Sequence, residues 1–423
     1  MAGYSGKSAE RFYVNELEDY IRESRNIIFV NNQTTYTSEF LLKLNKHLEQ
    51  LLSYLDSNKH KALKCGEKIY AGFGGLAFLS FLNDTRRDSL SCISRSRTIK
   101  EAKHRILHCA DEFTVRDRVS FLNGDAGILA LAAVLYHKSN DHSKTASCLQ
   151  KLLTCSKYTV LSESDSSVPD ELLYGRAGYL YALLFVRKNL PSRHIPESLI
   201  AEVVNAIINS GKIAAAKAKE FHNAPLRFMW HDKEYIGAAH GYCGILHVLL
   251  LARRENFLSE SDTINLVKPT IDYVLNMQYP SKNIPSSVNS NSYDILVQWC
   301  HGAPGAVHMI SLAYELFGEE KYLNAAIEFG EVTWSRGLLT KGYSLCHGVA
   351  GNGYTFLKLF QLTKDNKYLH RATKFAEWCF NYGSKQAFAP DRPWSLFEGI
   401  TGVICFLMDL LQPTMAKFPG VEI

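Results

Sequence analysis

Between residues 72 and 402 of the 423-residue chain, a pair of glycines separated by two residues recurs seven times. The pairs begin at positions 72, 124, 175, 241, 302, 348 and 399, so consecutive pairs stand 46 to 66 residues apart. Each pair is followed by an apolar stretch, such as ILALAAVLY after Gly127 or VICFLMDLL after Gly402. Self-similar units at such a spacing are the signature of a repeat architecture, in which each unit stacks on its neighbours.

Each unit also contains an amphipathic segment. KYLNAAIEFGEVTW begins at position 321 and KYLHRATKFAEWCF at position 367, and in the first of them Tyr322, Ala326 and Phe329 share one helical face. Residues 37–55 show the same pattern, with Thr37 or Ser38 as the helix N-cap. An amphipathic helix buries one face, whereas a helix that is apolar all round must be buried on every side.

These two kinds of helix predict the fold class. Seven buried helices ringed by seven amphipathic ones form a closed α/α toroid, so we expect an all-α protein with little sheet. Residues 37–423 are predicted to form this single domain, and residues 1–36 an N-terminal extension or cap. The apolar runs are about 8–12 residues long, too short to cross a bilayer, which needs about 20. We therefore expect no transmembrane segment.

Composition excludes several functions. The net charge is only +5 and no run of five like charges occurs, which disfavours nucleic-acid binding. The ten cysteines are scattered without a Cys-x-x-Cys motif, and the polar N-terminus lacks the apolar core of a secretory signal. We expect free thiols in the cytoplasm, with the nucleus or a membrane surface as alternatives.

In a closed toroid, equivalent positions of all repeats converge at one pole. The residues that immediately precede the first glycine of each pair are mostly polar: Ala71, Asn123, Tyr174, His240, His301, His347 and Glu398. One position further back, two neighbouring repeats carry Cys300 and Cys346. A turn needs only its glycines, whereas converging thiols and imidazoles suit Zn²⁺. Spacing alone does not decide whether His301 or His347 binds the metal.

The chain resembles the LanC-like proteins, the eukaryotic relatives of the bacterial lanthionine cyclases. The resemblance covers nearly the whole chain and rests on the motifs LNGDAGILALAAVLYHK, ELLYGRAGYLYALLFV, GAAHGYCG, WCHGAPG, GYSLCHGVAGN and SLFEG. Among these proteins, the chain resembles the glutathione-binding animal type. The resemblance implies a seven-by-seven toroid and one Zn²⁺ held by Cys300, Cys346 and His347. It also implies His240 as the catalytic histidine.

The same resemblance implies a reaction. Animal LanC-like proteins resemble glutathione transferases that add the glutathione thiol to dehydroalanine or dehydrobutyrine residues in proteins, which arise when phosphoserine or phosphothreonine loses phosphate. His240 is then the expected proton donor, with His301 or Trp299 orienting the electrophile. Bacterial cyclases tend to carry tyrosine where His301 stands.

Glutathione recognition is the weakest part of the match. Lys341 corresponds to a family glutathione contact. A second contact, an Arg-Thr-Pro-Asp stretch in the family, corresponds here to positions 388–391, where Asp391 is kept but the arginine is Phe388. Arg392 is the expected substitute. We expect glutathione and dehydroamino-acid-containing proteins as partners.

Three alternatives remain open at this point. A non-catalytic regulatory or scaffold protein would keep the zinc and the glutathione but not the reaction. A protein prenyltransferase subunit is also an α/α barrel with a Cys/His zinc site, although it resembles an Asp-Cys-His set rather than two Cys-His-Gly motifs. A membrane receptor would require longer apolar runs.

Overall fold

The computed structural model describes residues 11–21, 26–30, 33–160, 168–191, 194–218, 224–290, 293–383 and 390–423. In these ranges helices alternate between an outer and an inner ring, odd numbers outside and even numbers inside. They are α1 (Ser38–Ser57), α2 (Gly74–Asp84), α3 (Arg97–Glu112), α4 (Asp125–Lys138), α5 (His142–Thr154), α6 (Arg176–Asn189), α7 (Glu197–Ala216), α8 (Tyr242–Arg254), α9 (Lys268–Leu275), α10 (Ala303–Phe317), α11 (Glu320–Arg336), α12 (Val349–Thr363), α13 (Asn366–Cys379) and α14 (Ile400–Leu410).

The remaining elements are short. A hairpin of β1 (Ile27–Val30) and β2 (Gln33–Tyr36) is antiparallel, with Ile27 opposite Tyr36. Single helical turns span Lys59–Ala62, Ser91–Arg95, Ser156–Thr159, Glu260–Asp262 and Pro413–Met415, and a π-helical turn, Thr263–Val267, leads into α9.

The two rings bury their side chains as the sequence pattern predicts. In the inner helix α4, every residue from Asp125 to Tyr136 is buried. In the outer helix α3, the buried residues Ile99, Ala102 and Ile106 lie three or four positions apart on one face. At the start of α1 the Thr37 side chain accepts a hydrogen bond from the Phe40 amide, so the predicted N-cap is Thr37.

A chain of backbone hydrogen bonds closes the toroid at one pole. The Cys300 amide donates to the Cys346 carbonyl (3.2 Å), the Cys346 amide to Phe397 (2.8 Å), and the Phe397 amide to Tyr70 (3.1 Å). The Tyr70 amide in turn donates to the Leu122 carbonyl (2.9 Å). Because the last repeat bonds directly to the first, the structure confirms the predicted closed all-α toroid.

Close backbone approach explains the second glycine of each pair. A Cβ on Gly127 would lie 1.7 Å from the Phe121 carbonyl oxygen, and one on Gly351 would lie 1.8 Å from that of Leu345. A positive φ, which glycine tolerates better than other residues, explains few of these positions. Among the fourteen paired glycines, only Gly302 has a positive φ, at 123°.

The described residues nearest to each end of the chain pack against the toroid. Near the N-terminus the Tyr13 amide donates to the Leu338 carbonyl, and Asp19 forms an ion pair with Arg371 at 2.6 Å. Near the C-terminus, Phe418 is buried against Trp299, and Glu422 forms an ion pair with Lys358 at 3.1 Å. The described part of residues 1–36 thus lies along the outer helices, and the boundary at residue 37 stays a prediction.

One described helix, α7, has the length and composition of a membrane-crossing helix, with a mean hydropathy of 1.3. Its buried residues Leu199, Val203 and Ile207 recur every fourth position and so form one face. That face packs on α6 within the toroid. Helices that pack on the core of a compact protein can have this length and hydropathy as well. The α7 helix therefore has the properties of an outer helix of the ring.

Candidate metal and thiol site

Two thiols and one imidazole meet at the closed pole of the toroid. Cys300 stands before α10, and Cys346 and His347 stand before α12, so each comes from the turn into an inner helix. Their ligand atoms all lie within 4.8 Å of one another, and both cysteines are buried. Four-coordinate zinc with Zn–S bonds of about 2.3 Å holds two sulfurs about 3.8 Å apart. The donor set and its spacing therefore fit a metal with one coordination position left open.

The two thiols share a hydrogen bond. Against the effect of burial, the hydrogen bonds from Cys346 and His347 and the charge of the nearby His301 hold the pKa of the Cys300 thiol well below its usual range. Burial, together with the same bond, raises the pKa of Cys346. The two thiols therefore interact directly with each other at the position where a cation would sit.

Each sulfur also contacts a neutral donor that the sequence analysis did not identify. The Gln298 side-chain amide lies 3.1 Å from the Cys300 sulfur. The Tyr70 hydroxyl forms a hydrogen bond with Cys346. Tyr70 occupies the first repeat at the position that matches the two cysteines, so the repeat register itself was the available signal.

His240 is held by a buried carboxylate. Its Nδ1 lies 2.8 Å from Glu171, whose side chain is 1% exposed and also accepts the amide of Leu173 at 2.8 Å. The Trp230 ring stacks on the imidazole at 4.1 Å between centroids. A carboxylate at Nδ1 favours the tautomer with the proton on Nδ1, which leaves Nε2 to exchange protons with a substrate. Glu171, in the ELLYG motif, is a functional candidate that the sequence analysis missed.

His301 and Trp299 occupy different environments. His301 lies outside the group of three ligand atoms, its Nδ1 is buried without a hydrogen-bond partner, and burial lowers its pKa. The Tyr235 ring stands 5.9 Å from the rings of both His301 and His240, which links the two histidines. Trp299 is fully buried and stacks on Phe418 at 5.4 Å. The structure therefore brings His301 near the site, whereas it packs Trp299 into the core.

A cavity of about 430 Å³ opens beside His347. Its lining includes Lys341 and Asp391, as expected, and also Arg11 and Glu398. This volume lies in the range of small-molecule pockets, about 300–1,000 Å³. The cavity thus places cationic and anionic side chains next to the His347 imidazole.

The remaining expected contacts are less well placed. Arg392 is exposed and is not part of the cavity lining, although it lies near Glu398. Burial and, to a smaller extent, the neighbouring Asp391 raise the pKa of the Glu398 carboxyl. His347, Arg392 and Lys341 act in the opposite direction and lower this pKa. Phe388 lies outside the described residues. Arg11, from the N-terminal segment, is a cation that no repeat pattern could have revealed.

Comparisons with known proteins agree with this geometry. A family model described as Lanthionine synthetase C-like protein matches residues 65–423. Glutathione S-transferase LANCL1 of Danio rerio is 39% identical over 392 residues, which are 92% of this chain and 94% of that protein. The solved structure of Nisin cyclase matches 86% of this chain and 93% of its own, with a TM-score of 0.67 and 16% identity. At that identity the structural likeness shows the toroid fold alone.

Proposed function

Because the chain belongs to the lanthionine synthetase C-like family, we propose that it is a zinc-dependent glutathione transferase. Its substrates are dehydroalanine and dehydrobutyrine residues in proteins, to which it adds the glutathione thiol. The observation that carries this proposal is the convergence of Cys300, Cys346 and His347 within 4.8 Å, beside a cavity lined by Lys341 and Arg11. The glutathione transferase name of the 39% identical relative supports it.

The three ligands give the site its thiol chemistry. Zinc, when bound, deprotonates a coordinated thiol and so supplies a thiolate at neutral pH. Cys300, Cys346 and His347 would hold the ion and would leave one of its four positions for the glutathione sulfur, whose thiol proton would pass to solvent. In the addition, that sulfur forms a bond to the β-carbon of the dehydro residue. The electron pair of the double bond then moves towards the α-carbon and its carbonyl oxygen.

His240 completes the addition in this proposal by donating a proton to the α-carbon. Its Nδ1 is occupied by Glu171 at 2.8 Å, so Nε2 is the nitrogen that delivers the proton. His301, linked to His240 through Tyr235, is the residue we assign to orient the electrophile. Trp299 supports the loop of Cys300 from below, since its ring is fully buried.

Glutathione carries two carboxylates and one ammonium group, and the cavity offers partners for each. Lys341 and Arg11 are the cations for the carboxylates, and Asp391 is the acceptor for the ammonium. Arg11 supplies the positive charge that the family places where this chain has Phe388. Arg392, exposed beside Glu398, is a peripheral contact in this proposal.

Mass spectrometry of a dehydroalanine peptide incubated with glutathione tests the proposal. We expect one zinc per chain in the wild type and an adduct that corresponds to addition of intact glutathione. Cys346→Ala should lose both zinc and adduct formation, whereas His240→Ala should keep the zinc and lose the adduct. Zinc and glutathione binding without an adduct would instead identify a regulatory binding protein. A cytoplasmic location remains part of the proposal, and cell fractionation with nuclear and membrane arms would test it.

A further inference from the structure

Two neutral side chains are aimed at the two sulfurs of the metal-ligand group. The Gln298 amide reaches the Cys300 sulfur at 3.1 Å, and the Tyr70 hydroxyl bonds the Cys346 sulfur. Both donor residues are buried, with relative exposures of 9% and 8%. One donor therefore serves each cysteine, and the two donors come from different repeats.

The surrounding structure fixes both donors. The Gln298 backbone forms a two-way bridge with His301, with hydrogen bonds of 3.2 and 3.1 Å. The Tyr70 ring stacks on Phe397 at 4.6 Å, and its backbone is part of the hydrogen-bonded chain that closes the toroid. Neither contact depends on a flexible surface side chain, so both hydrogen bonds are properties of the folded site.

A hydrogen bond to a thiolate withdraws electron density from sulfur and lowers its reactivity towards electrophiles. This matters here because the site holds three sulfurs during turnover, two from the protein and one from the substrate. The Tyr70 hydroxyl and one N–H of the Gln298 amide are already committed to the two cysteines, so a thiol that joins as the fourth ligand does not share these two bonds. The substrate sulfur is then the most electron-rich of the three.

We propose that Tyr70 and Gln298 determine which sulfur reacts, by suppressing attack from Cys346 and Cys300 and so reserving the electrophile for the substrate thiol. They act through the cysteines and are positioning residues. This inference rests on the proposed zinc site, and it goes beyond the proposed reaction because it assigns how the protein avoids alkylating its own metal ligands.

Site-resolved alkylation tests the inference without any turnover. The zinc-loaded full-length protein, free of glutathione, is treated with iodoacetamide, and the two cysteines are followed separately by peptide mass spectrometry. In this reaction a carbon–sulfur bond forms as the carbon–iodine bond breaks and iodide leaves. Tyr70→Phe keeps the stacked ring and removes only the hydroxyl, and Gln298→Met keeps the side-chain length and removes the amide.

The expected result is matched to the residue that changes. Loss of a hydrogen bond of about 0.5–1.5 kcal/mol corresponds to a rise in alkylation rate of about 2- to 12-fold. Tyr70→Phe should increase the alkylation rate of Cys346 alone, and Gln298→Met should increase the alkylation rate of Cys300 alone. The control is Tyr179→Phe, a buried tyrosine whose hydroxyl donates to the Leu152 carbonyl at 3.0 Å away from the metal ligands. That variant should change neither rate.

Several results would overturn the inference. One is an equal rise at both cysteines in each variant, which would indicate a loosened site. Others are unchanged rates, loss of zinc from Tyr70→Phe or Gln298→Met, or a wild-type protein that binds no zinc. Residue-matched alkylation in a protein that forms no glutathione adduct would uphold the inference and refute the transferase proposal, so the two can fail separately.

Discussion

Replacing Glu171 by glutamine changes the acceptor of His240 while keeping the side-chain shape. The buried carboxylate accepts the His240 Nδ1 at 2.8 Å and the amides of Leu173 and Tyr174. His240 and the Leu173 amide both bond Oε2, whereas the Tyr174 amide bonds Oε1, so a glutamine satisfies the first two only with its oxygen at the Oε2 position. In either orientation His240 loses a charged acceptor, because it then faces a neutral amide oxygen or the amide nitrogen.

The magnitude follows from the kind of bond. A hydrogen bond to a charged group contributes about 1.5–3 kcal/mol, which corresponds to about a 10- to 150-fold loss in kcat if it acts only in the proton-transfer step. The KM for glutathione should stay unchanged, because Glu171 is not part of the cavity lining. Initial rates of adduct formation on a dehydroalanine peptide measure both parameters.

A double-mutant cycle with His240→Ala separates positioning from general damage. If Glu171 acts through His240, Glu171→Gln should cost little further in the His240→Ala background. Zinc content and thermal unfolding of each variant serve as controls for folding. A kcat within twofold of the wild type, or equal losses from Glu171→Gln in both backgrounds, would refute this role.

Three other perturbations have defined outcomes. Arg11→Leu removes an exposed cation from the cavity. An exposed charge contact contributes about 1 kcal/mol, so the KM for glutathione should rise about fivefold, kcat should stay the same, and the effect should be smaller in high salt. An unchanged KM would remove Arg11 from the glutathione site. Burial lowers the pKa of His247 to about 3 from 6.5, so its contribution to stability is complete above pH 6.5 and is lost as the pH falls towards 3. When the pH falls from 7.5 to 5, the free energy of unfolding measured with urea should therefore fall by about 2 kcal/mol less in His247→Leu than in the wild type. Equal falls in the two proteins would contradict this prediction. Gly127→Ala places a Cβ 1.7 Å from a backbone oxygen and should destabilise by about 3 kcal/mol or more in the same assay. Gly318→Ala, where a φ of 68° is the only obstacle, should cost about 1–2 kcal/mol, and a smaller cost at Gly127 would contradict the close-approach argument.

The repeat made most of the fold predictable from sequence. Glycine pairs and two kinds of helical pattern specify the units, and a closed ring follows because every inner helix must be buried. The same register predicted that Cys300 and Cys346 meet. It could not choose between His301 and His347, because both stand one residue after a cysteine. The backbone bends differently at the two turns, and only His347 lies among the ligand atoms.

Residues that reach the site from elsewhere were beyond this reasoning. Arg11 belongs to a segment outside the repeats, and its place in the cavity depends on pairing of the N-terminal segment with residues 338–340. Glu171 lies in the preceding repeat, and its contact with His240 depends on side-chain direction rather than on register. Trp299 shows the converse, since adjacency to Cys300 suggested a place in the site, whereas neighbouring side chains point in different directions.

Closure of the ring also sets an order for biosynthesis. Tyr70 and Phe397 bond to each other although more than 300 residues separate them, so this contact forms only after nearly the whole chain has left the ribosome. Cys300, Cys346 and His347 emerge earlier, and at about 5–20 residues per second several seconds pass before Phe397 follows. The three ligands of the proposed zinc site are therefore synthesised before the residue that closes the ring around them.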